Sequence, residues 1–237
     1  MIRITEIDKK HEESDLCQGA IGHKSMPKEL EMLNIYRERM DTAQQFPISF
    51  LPNLGNEIYY VDPAYPQRYI ALDTYFEYLK QARVAELQQI AQALGAKHFR
   101  VTYKEQKKTI TKAKAKGRVG AKNVAGVTAD HQLSSDDFSS ISIAAEMNFL
   151  GHEPNEPELH YFKGNPQIVE LVKSRMKPNP VLHQSYILQL SESSGIRIKD
   201  ALKIDATLNA IKCEGNATFS SELQDETRRS LEYEIDF

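Results

Sequence analysis

The sequence contains no tryptophan, only two cysteines among 237 residues, and no apolar run near the ~20 residues that a membrane-spanning helix needs. Cys17 and Cys213 lie far apart and outside any CxxC pair, which excludes a framework of several disulfides and a cysteine-based zinc site. The first ten residues lack the apolar stretch of a secretory signal. We therefore expect a cytoplasmic protein in which both thiols are reduced.

Motifs that identify common reactions are also missing. The sequence has no GxSxG nucleophile elbow and no GxxxxGK[ST] phosphate loop. The segment 117–122, Gly-Arg-Val-Gly-Ala-Lys, has the glycines and the lysine of a phosphate-binding nest but not its spacing. We therefore expect a non-enzymatic binding or interaction protein that carries no cofactor.

Composition and patterning indicate the fold class. Apolar residues make up 41% of the chain and charged residues 27%, which is enough apolar material for a folded core. Helical and strand-like patterns are interspersed, and strands with one apolar and one polar face are typical of antiparallel sheets. The sequence predicts an α+β fold with an antiparallel sheet flanked by helices. We expect a helical and loop region at 1–66 that packs on a core domain at 67–237, or one continuous domain.

The clearest local pattern is an apolar stripe at a 3.6-residue period between Asp73 and Leu94, interrupted by one charge at Arg83. It predicts a helix that is capped by Asp73 and ends at Gly95. Alternating apolar and polar residues predict three strands, at 99–103, 140–149 and 231–237. In the second of these strands five apolar residues are predicted to share one face: Ile141, Ile143, Ala145, Met147 and Phe149.

The other patterns are shorter. Ser25 and Pro27 are typical of a helix start, and the apolar residues after them predict a helix that ends before Pro47. The proline-rich stretch 46–66 predicts a loop with one short edge strand at 58–61, because proline cannot donate to a central ladder. The remaining predicted elements are a strand at 2–5, helices at 165–176 and 198–212, an element of either type at 185–190, and a strand at 217–219.

The charges are unevenly distributed. Residues 97–122 contain ten cations and one acid, so they carry +9, while the rest of the chain carries −12 of the overall −3. Four cations alternate with small residues, and this two-residue period predicts a cationic row on one side of an extended strand: Lys112, Lys114, Lys116 and Arg118. A second alternating set, which we call the acidic row, lies near residue 237: Glu232, Glu234 and Asp236.

Three interpretations of the cations remain open. They form a solvated sheet edge or face the acidic row; they bind a polyanion, either nucleic acid or an anionic membrane surface; or they belong to an amphipathic hairpin that permeabilises membranes. A protein partner is a further possibility, and no oligomeric state is predicted. The polyanion hypothesis assigns the contacts to seven residues: Lys107, Lys108, Lys112, Lys114, Lys116, Arg118 and Lys122.

An alternative of a different class is a metal-dependent enzyme. The stretch 151–160 contains two histidines and three carboxylates, which are groups that a divalent metal uses. Its spacing matches no HExxH or finger motif, and its two prolines favour a solvated acidic loop. The candidate ligands are His152, Glu153, Glu158 and His160. A weaker group of the same kind is His131 with Asp136 and Asp137.

Overall fold

The computed structural model describes residues 1–7, 20–52, 57–106, 138–190, 196–211 and 219–237. Within these ranges the chain forms two sheets and five helices, which confirms the predicted α+β class. The helices are α1 (Met40–Ala43), α2 (Tyr75–Ala93), α3 (Pro166–Arg175), α4 (Ile198–Ala210) and α5 (Phe219–Glu226).

The first sheet is mixed and has six strands: β1 (Ile2–Thr5), β2 (Gly22–Ser25), β3 (Met32–Tyr36), β4 (Ser49–Leu51), β5 (Ile58–Val61) and β6 (Arg68–Ala71). Their order is β2-β3-β1-β5-β6-β4. The β1–β3 and β4–β6 pairs are parallel, and the other pairs are antiparallel. The sheet continues past residue 66 into β6, and the proposed domain division there stays a prediction.

The second sheet is antiparallel throughout, as predicted. Its strands are β7 (His98–Gln106), β8 (Phe138–Asn148), β9 (His183–Gln189) and β10 (Arg229–Asp236). They lie in the order β8-β7-β10-β9, so β7 and β10 are the two inner strands. Their alternation places Phe99, Val101 and Tyr233 on the buried face.

Helix α2 contributes to two apolar cores. Its second half packs Leu87 and Ile90 against the second sheet and α3. Its first half packs Tyr75, Phe76 and Leu79 with residues of β6, α4 and α5. A third core lies on the first sheet and contains Ile2, Ile4, Ile35, Ala43, Tyr59 and Ala71.

The predicted end of α2 is confirmed in detail. Gly95 follows the helix with φ of +77°, a conformation that side chains with a Cβ rarely adopt. The start of α3 is equally clear, because the Asn165 side chain accepts hydrogen bonds from the backbone N–H groups of Gln167 and Ile168. Helix α2 itself begins at Tyr75, two residues after the predicted cap, because Leu72–Thr74 form a 3-10 turn.

The Gly95→Ala variant is expected to lose about 2 kcal/mol of unfolding free energy. The new Cβ would be strained by the positive φ and would clash with the backbone oxygen of His152. Urea denaturation measures the loss. Gly164→Ala is the control, since no atom lies within 4 Å of its added Cβ. Equal stability of the two variants would contradict the prediction.

The helix predicted to start near Ser25 and to end before Pro47 is wrong. Pro27–Glu29 form a 3-10 turn, and Met32–Tyr36 form strand β3 between β2 and β1. Four residues of this strand are buried and only Leu33 is exposed, so buried side chains lie on both faces. Even Asn34 is buried, with its Nδ2 donating to the Ser25 hydroxyl at 2.8 Å. A buried inner strand carries no two-residue alternation, so tertiary pairing overrides the helix-like spacing.

Two smaller predictions are also wrong. The strand Ile58–Val61 exists but lies between β1 and β6 rather than at an edge. The neighbouring prolines lie outside the strand, so they remove no donor from its ladder. Phe219 begins helix α5 instead of ending a strand, and the other residues of that predicted strand lie outside the described ranges.

The predicted apolar face of β8 is interrupted. The register pairs Val101 with Ala145 but Thr102 with Ile143, so Ala144 is an extra residue in the edge strand. The extra residue places Ile141 and Ile143, which precede it in the chain, on the face opposite to Ala145 and Met147. Ile141 and Ile143 are therefore 47% and 54% exposed, and the single face predicted for them and Met147 is wrong.

Candidate functional site

The basic segment (residues 107–122) lies outside the described residues, as do its seven proposed contact residues: Lys107, Lys108, Lys112, Lys114, Lys116, Arg118 and Lys122. Its flanking strands are described. β7 ends at Gln106, β8 begins at Phe138, and these two residues pair with each other. Both ends of the 107–137 connection therefore meet at one end of the second sheet. His131, Asp136, Asp137 and both cysteines also lie outside the described ranges.

The described cations at this end of the sheet have acidic partners. Lys104 on β7 forms an ion pair with Glu232 on β10. The guanidinium of Arg229 contacts three carboxylates, Glu226 at 3.0 Å and both Glu105 and Glu222 at 3.6 Å. The cations Lys104 and Arg229 at this end of the sheet are thus both paired with carboxylates of the described residues.

The acidic row lies along β10 with partners on both neighbouring strands. Glu232 pairs with Lys104, and Glu234 lies opposite Arg100 in the β7–β10 register. Asp236 accepts a hydrogen bond from Nδ1 of His183 at 2.7 Å, which is the main cause that lowers the pKa of its carboxyl. The acidic row therefore faces described basic residues of β7 and β9.

The four residues proposed as metal ligands separate into two places. His152 and Glu153 line a cleft beside Gly95. The ring of His160 instead packs at a tilt against Tyr65, with centroids 4.9 Å apart, and its Nε2 lies 3.8 Å from the exposed carboxylate of Glu158. Within the described ranges, no group of three or more His, Cys, Asp or Glu side chains is arranged to hold a metal ion.

The cleft beside Gly95 has a volume of about 570 Å³. It lies where α2 and α3 end, and the 151–154 loop and the 176–182 connection complete its walls. Its charged lining consists of Lys97, Arg175, Lys177 and Glu153. Met176, Leu182 and Phe237 supply apolar surface.

Glu86 organises the backbone of the 160–162 segment. This buried carboxylate on α2 accepts hydrogen bonds from the backbone N–H groups of His160 at 2.6 Å, Tyr161 at 2.7 Å and Phe162 at 3.5 Å. The Tyr161 hydroxyl donates to the buried Asp62 at 2.8 Å, and burial together with this bond raises the pKa of Tyr161. These contacts connect the loop after β8 to α2 and to the first sheet.

Arg83 and Glu226 form a fully buried charged pair. Nη1 of Arg83 lies 3.8 Å from Oε2 of Glu226, and both side chains are almost inaccessible to solvent. None of the three guanidinium nitrogens has a hydrogen-bond acceptor among the described residues. Burial lowers the pKa of Arg83 and raises the pKa of Glu226, because both charged forms are poorly solvated there.

Sequence reasoning identified only part of this arrangement. The position of Arg83 in the apolar stripe was visible, but its partner Glu226 is far along the chain. Glu86 is one of two acids on α2, and nothing local distinguishes it from the exposed Glu77. The local indication of a buried ion pair was Arg83 itself, because a charge inside an apolar stripe requires a buried partner.

No described helix combines the length and the apolar composition needed to cross a membrane. Comparison with known protein families, curated proteins and solved structures finds no match to this chain.

Proposed function

We propose that this protein binds polyanions through the basic segment (residues 107–122), and that single-stranded nucleic acid is its favoured ligand. The observation that carries the proposal is the charge of this connection. Between residues 107 and 129 it contains seven cations and no acid. Neutralising several phosphates releases counterions, which gives an affinity that does not require a deep pocket.

The contacts of the acidic row support this proposal over internal neutralisation. Glu232 already pairs with Lys104, Asp236 already pairs with His183, and Glu234 lies opposite Arg100. Each carboxylate of the row thus has a basic neighbour within the second sheet. Glu232 and Asp236 therefore already have polar partners outside the basic segment.

The composition of the basic segment favours nucleic acid over a membrane. Its alternating cations are separated by Ala113, Ala115, Gly117 and Val119, which offer little apolar surface for burial in lipid. Phosphate contacts require only the charges and an extended backbone. An anionic membrane surface is the competing ligand in the test below.

The polyanion proposal predicts a steep salt dependence that disappears with the cationic row. Binding of a labelled single-stranded DNA to the full chain is measured by fluorescence anisotropy across a salt titration. In the variant with Lys112, Lys114, Lys116 and Arg118 changed to glutamine, the slope of log K against log salt is expected to fall by about 3, because each contact to a single strand contributes about 0.7.

The control removes the same charge elsewhere, by changing four exposed lysines to glutamine: Lys24, Lys163, Lys173 and Lys199. It is expected to retain most of the salt slope. Equal slopes in the two variants would show that only net charge matters and would refute the assigned segment. Phosphatidylserine vesicles serve as the competitor. If they displace the DNA at a charge concentration lower than that of the DNA, the favoured ligand is a membrane surface and not nucleic acid.

A further inference from the structure

The cleft beside Gly95 has the dimensions of a ligand site. Its volume of about 570 Å³ lies within the range of roughly 300–1,000 Å³ that is typical of small-molecule pockets. Carbonyl groups at the helix ends beside the cleft accept hydrogen bonds from other groups of the protein. Leu94 O accepts from Arg175, Ala93 O accepts from the N–H of Asn155, and Val172 O accepts from the N–H of Met176. These bonds limit the negative potential that the ends of α2 and α3 direct into the cleft.

Arg175 is fixed in the wall of this cleft. Its side chain is buried, Nε donates to Leu94 O at 3.1 Å, and Nη1 donates to Val181 O at 2.9 Å. The guanidinium also stacks on Phe237, with its central carbon 4.2 Å from the ring centroid. Nη2 has no acceptor among the described residues. A guanidinium held in this way is preorganised to bind an anion.

The charge of the lining favours a ligand with a single negative charge. Lys97, Arg175 and Lys177 give three positive charges, and Glu153 gives one negative charge. Lys177 also lies 3.6 Å from the exposed carboxylate of Glu170, which reduces its contribution. Glu153 interacts electrostatically with Arg175, and Lys97 Nζ donates to the backbone oxygen of Phe237 at 3.3 Å, so the positive excess of the lining is small.

Two large apolar side chains of the lining are unusually accessible to solvent. Leu182 is 68% exposed and Met176 is 48% exposed, although both are large apolar side chains. Pro178 and Pro180 lie between them in the same wall. Burial of these side chains against an apolar group would be favourable by roughly 25 cal/mol per Å² of apolar surface.

We infer that this cleft binds a small amphipathic carboxylate, with its carboxylate on Arg175 and its apolar body against Met176, Leu182 and Phe237. A guanidinium forms strong charge-assisted hydrogen bonds with a carboxylate, and the small positive excess of the lining favours one negative charge over the two of a phosphate monoester. The inference does not depend on the polyanion proposal, because the cleft contains no residue of the basic segment.

The test uses sodium octanoate as the probe and isothermal titration calorimetry of the full chain. Saturable binding of octanoate is expected, with 1-octanol and inorganic phosphate binding at least about ten-fold more weakly, since each lacks one half of the recognised chemistry. The binding is also expected to be unchanged when Lys112, Lys114, Lys116 and Arg118 are glutamines. That result separates this site from the polyanion site.

Leu182→Glu places a negative charge in the cleft and is expected to weaken octanoate binding by at least about ten-fold. Leu202→Glu is the matched control, because Leu202 is similarly exposed at 55% but lies on α4, outside the cleft. Both exposed sites should tolerate the change, whereas substitution of Arg175 risks unfolding. Absence of octanoate binding, equal binding of 1-octanol or phosphate, or equal affinity in the two variants would overturn the inference.

Discussion

The Glu226→Gln variant is expected to lose about 3–5 kcal/mol of unfolding free energy, because it removes the carboxylate that pairs with the buried Arg83 among the described residues. Arg83 is completely inaccessible to solvent, and its nearest carboxylate oxygen is that of Glu226 at 3.8 Å. A neutral amide keeps the shape of the side chain but removes the electrostatic compensation. Equilibrium unfolding in urea measures the loss directly, with the change in midpoint and slope recorded together.

The matched control for Glu226 is Glu222→Gln, since Glu222 also contacts Arg229 but is partly exposed. This control is expected to lose less than about 1 kcal/mol. The Arg83→Met variant is expected to lose less than Glu226→Gln, because Glu226 keeps its 3.0 Å ion pair with Arg229 while the unpaired guanidinium disappears. Similar losses for Glu226→Gln and Glu222→Gln would contradict this account of the pair.

The Glu86→Ala variant is expected to lose about 3 kcal/mol, because three backbone N–H groups lose their acceptor at once. These groups belong to His160, Tyr161 and Phe162. The same substitution is expected to accelerate amide hydrogen exchange in the 160–162 segment more than elsewhere, since local opening no longer breaks bonds to a carboxylate. Denaturant unfolding and exchange mass spectrometry provide the two measurements.

Glu77→Ala is the control for Glu86, because Glu77 lies on the same helix but is exposed and contacts only side chains, those of Lys80 and Gln81. Its loss is expected to stay below about 1 kcal/mol, with unchanged exchange at residues 160–162. If Glu86→Ala lost no more stability than Glu77→Ala, the three hydrogen bonds would contribute little to the fold.

Elements with strong local signals were predictable from the sequence. Helix α2 has its apolar stripe and Gly95, α3 has the Asn165–Pro166 start, and β7 and β10 have clean alternation with one buried face. Strand β3 was not predictable in this way, because buried residues lie on both of its faces and leave no regular two-residue alternation. The bulge at Ala144 was also not predictable from the sequence, since it depends on the register with β7 rather than on the residues of β8.

The candidate sites show the same limit. The excess of cations between residues 97 and 122 is a property of the sequence, but the partners of Arg100 and Lys104 are set by strand pairing. The proposed metal ligands were close in sequence, yet the chain between His152 and His160 leads them to different neighbours. Proximity along the chain therefore did not predict proximity in space, and the cleft around Arg175 had no sequence signal.

Helix α2 makes the two cores that it joins thermodynamically dependent on each other. Leu79 belongs to one core and Leu87 to the other, and both are fully buried on the same rigid 19-residue rod. Unfolding of either half exposes apolar surface of α2 and leaves a shorter helix. Short isolated helices are only marginally stable in water. Loss of one core therefore weakens the other, and the two should unfold as one cooperative unit despite lying on different sheets.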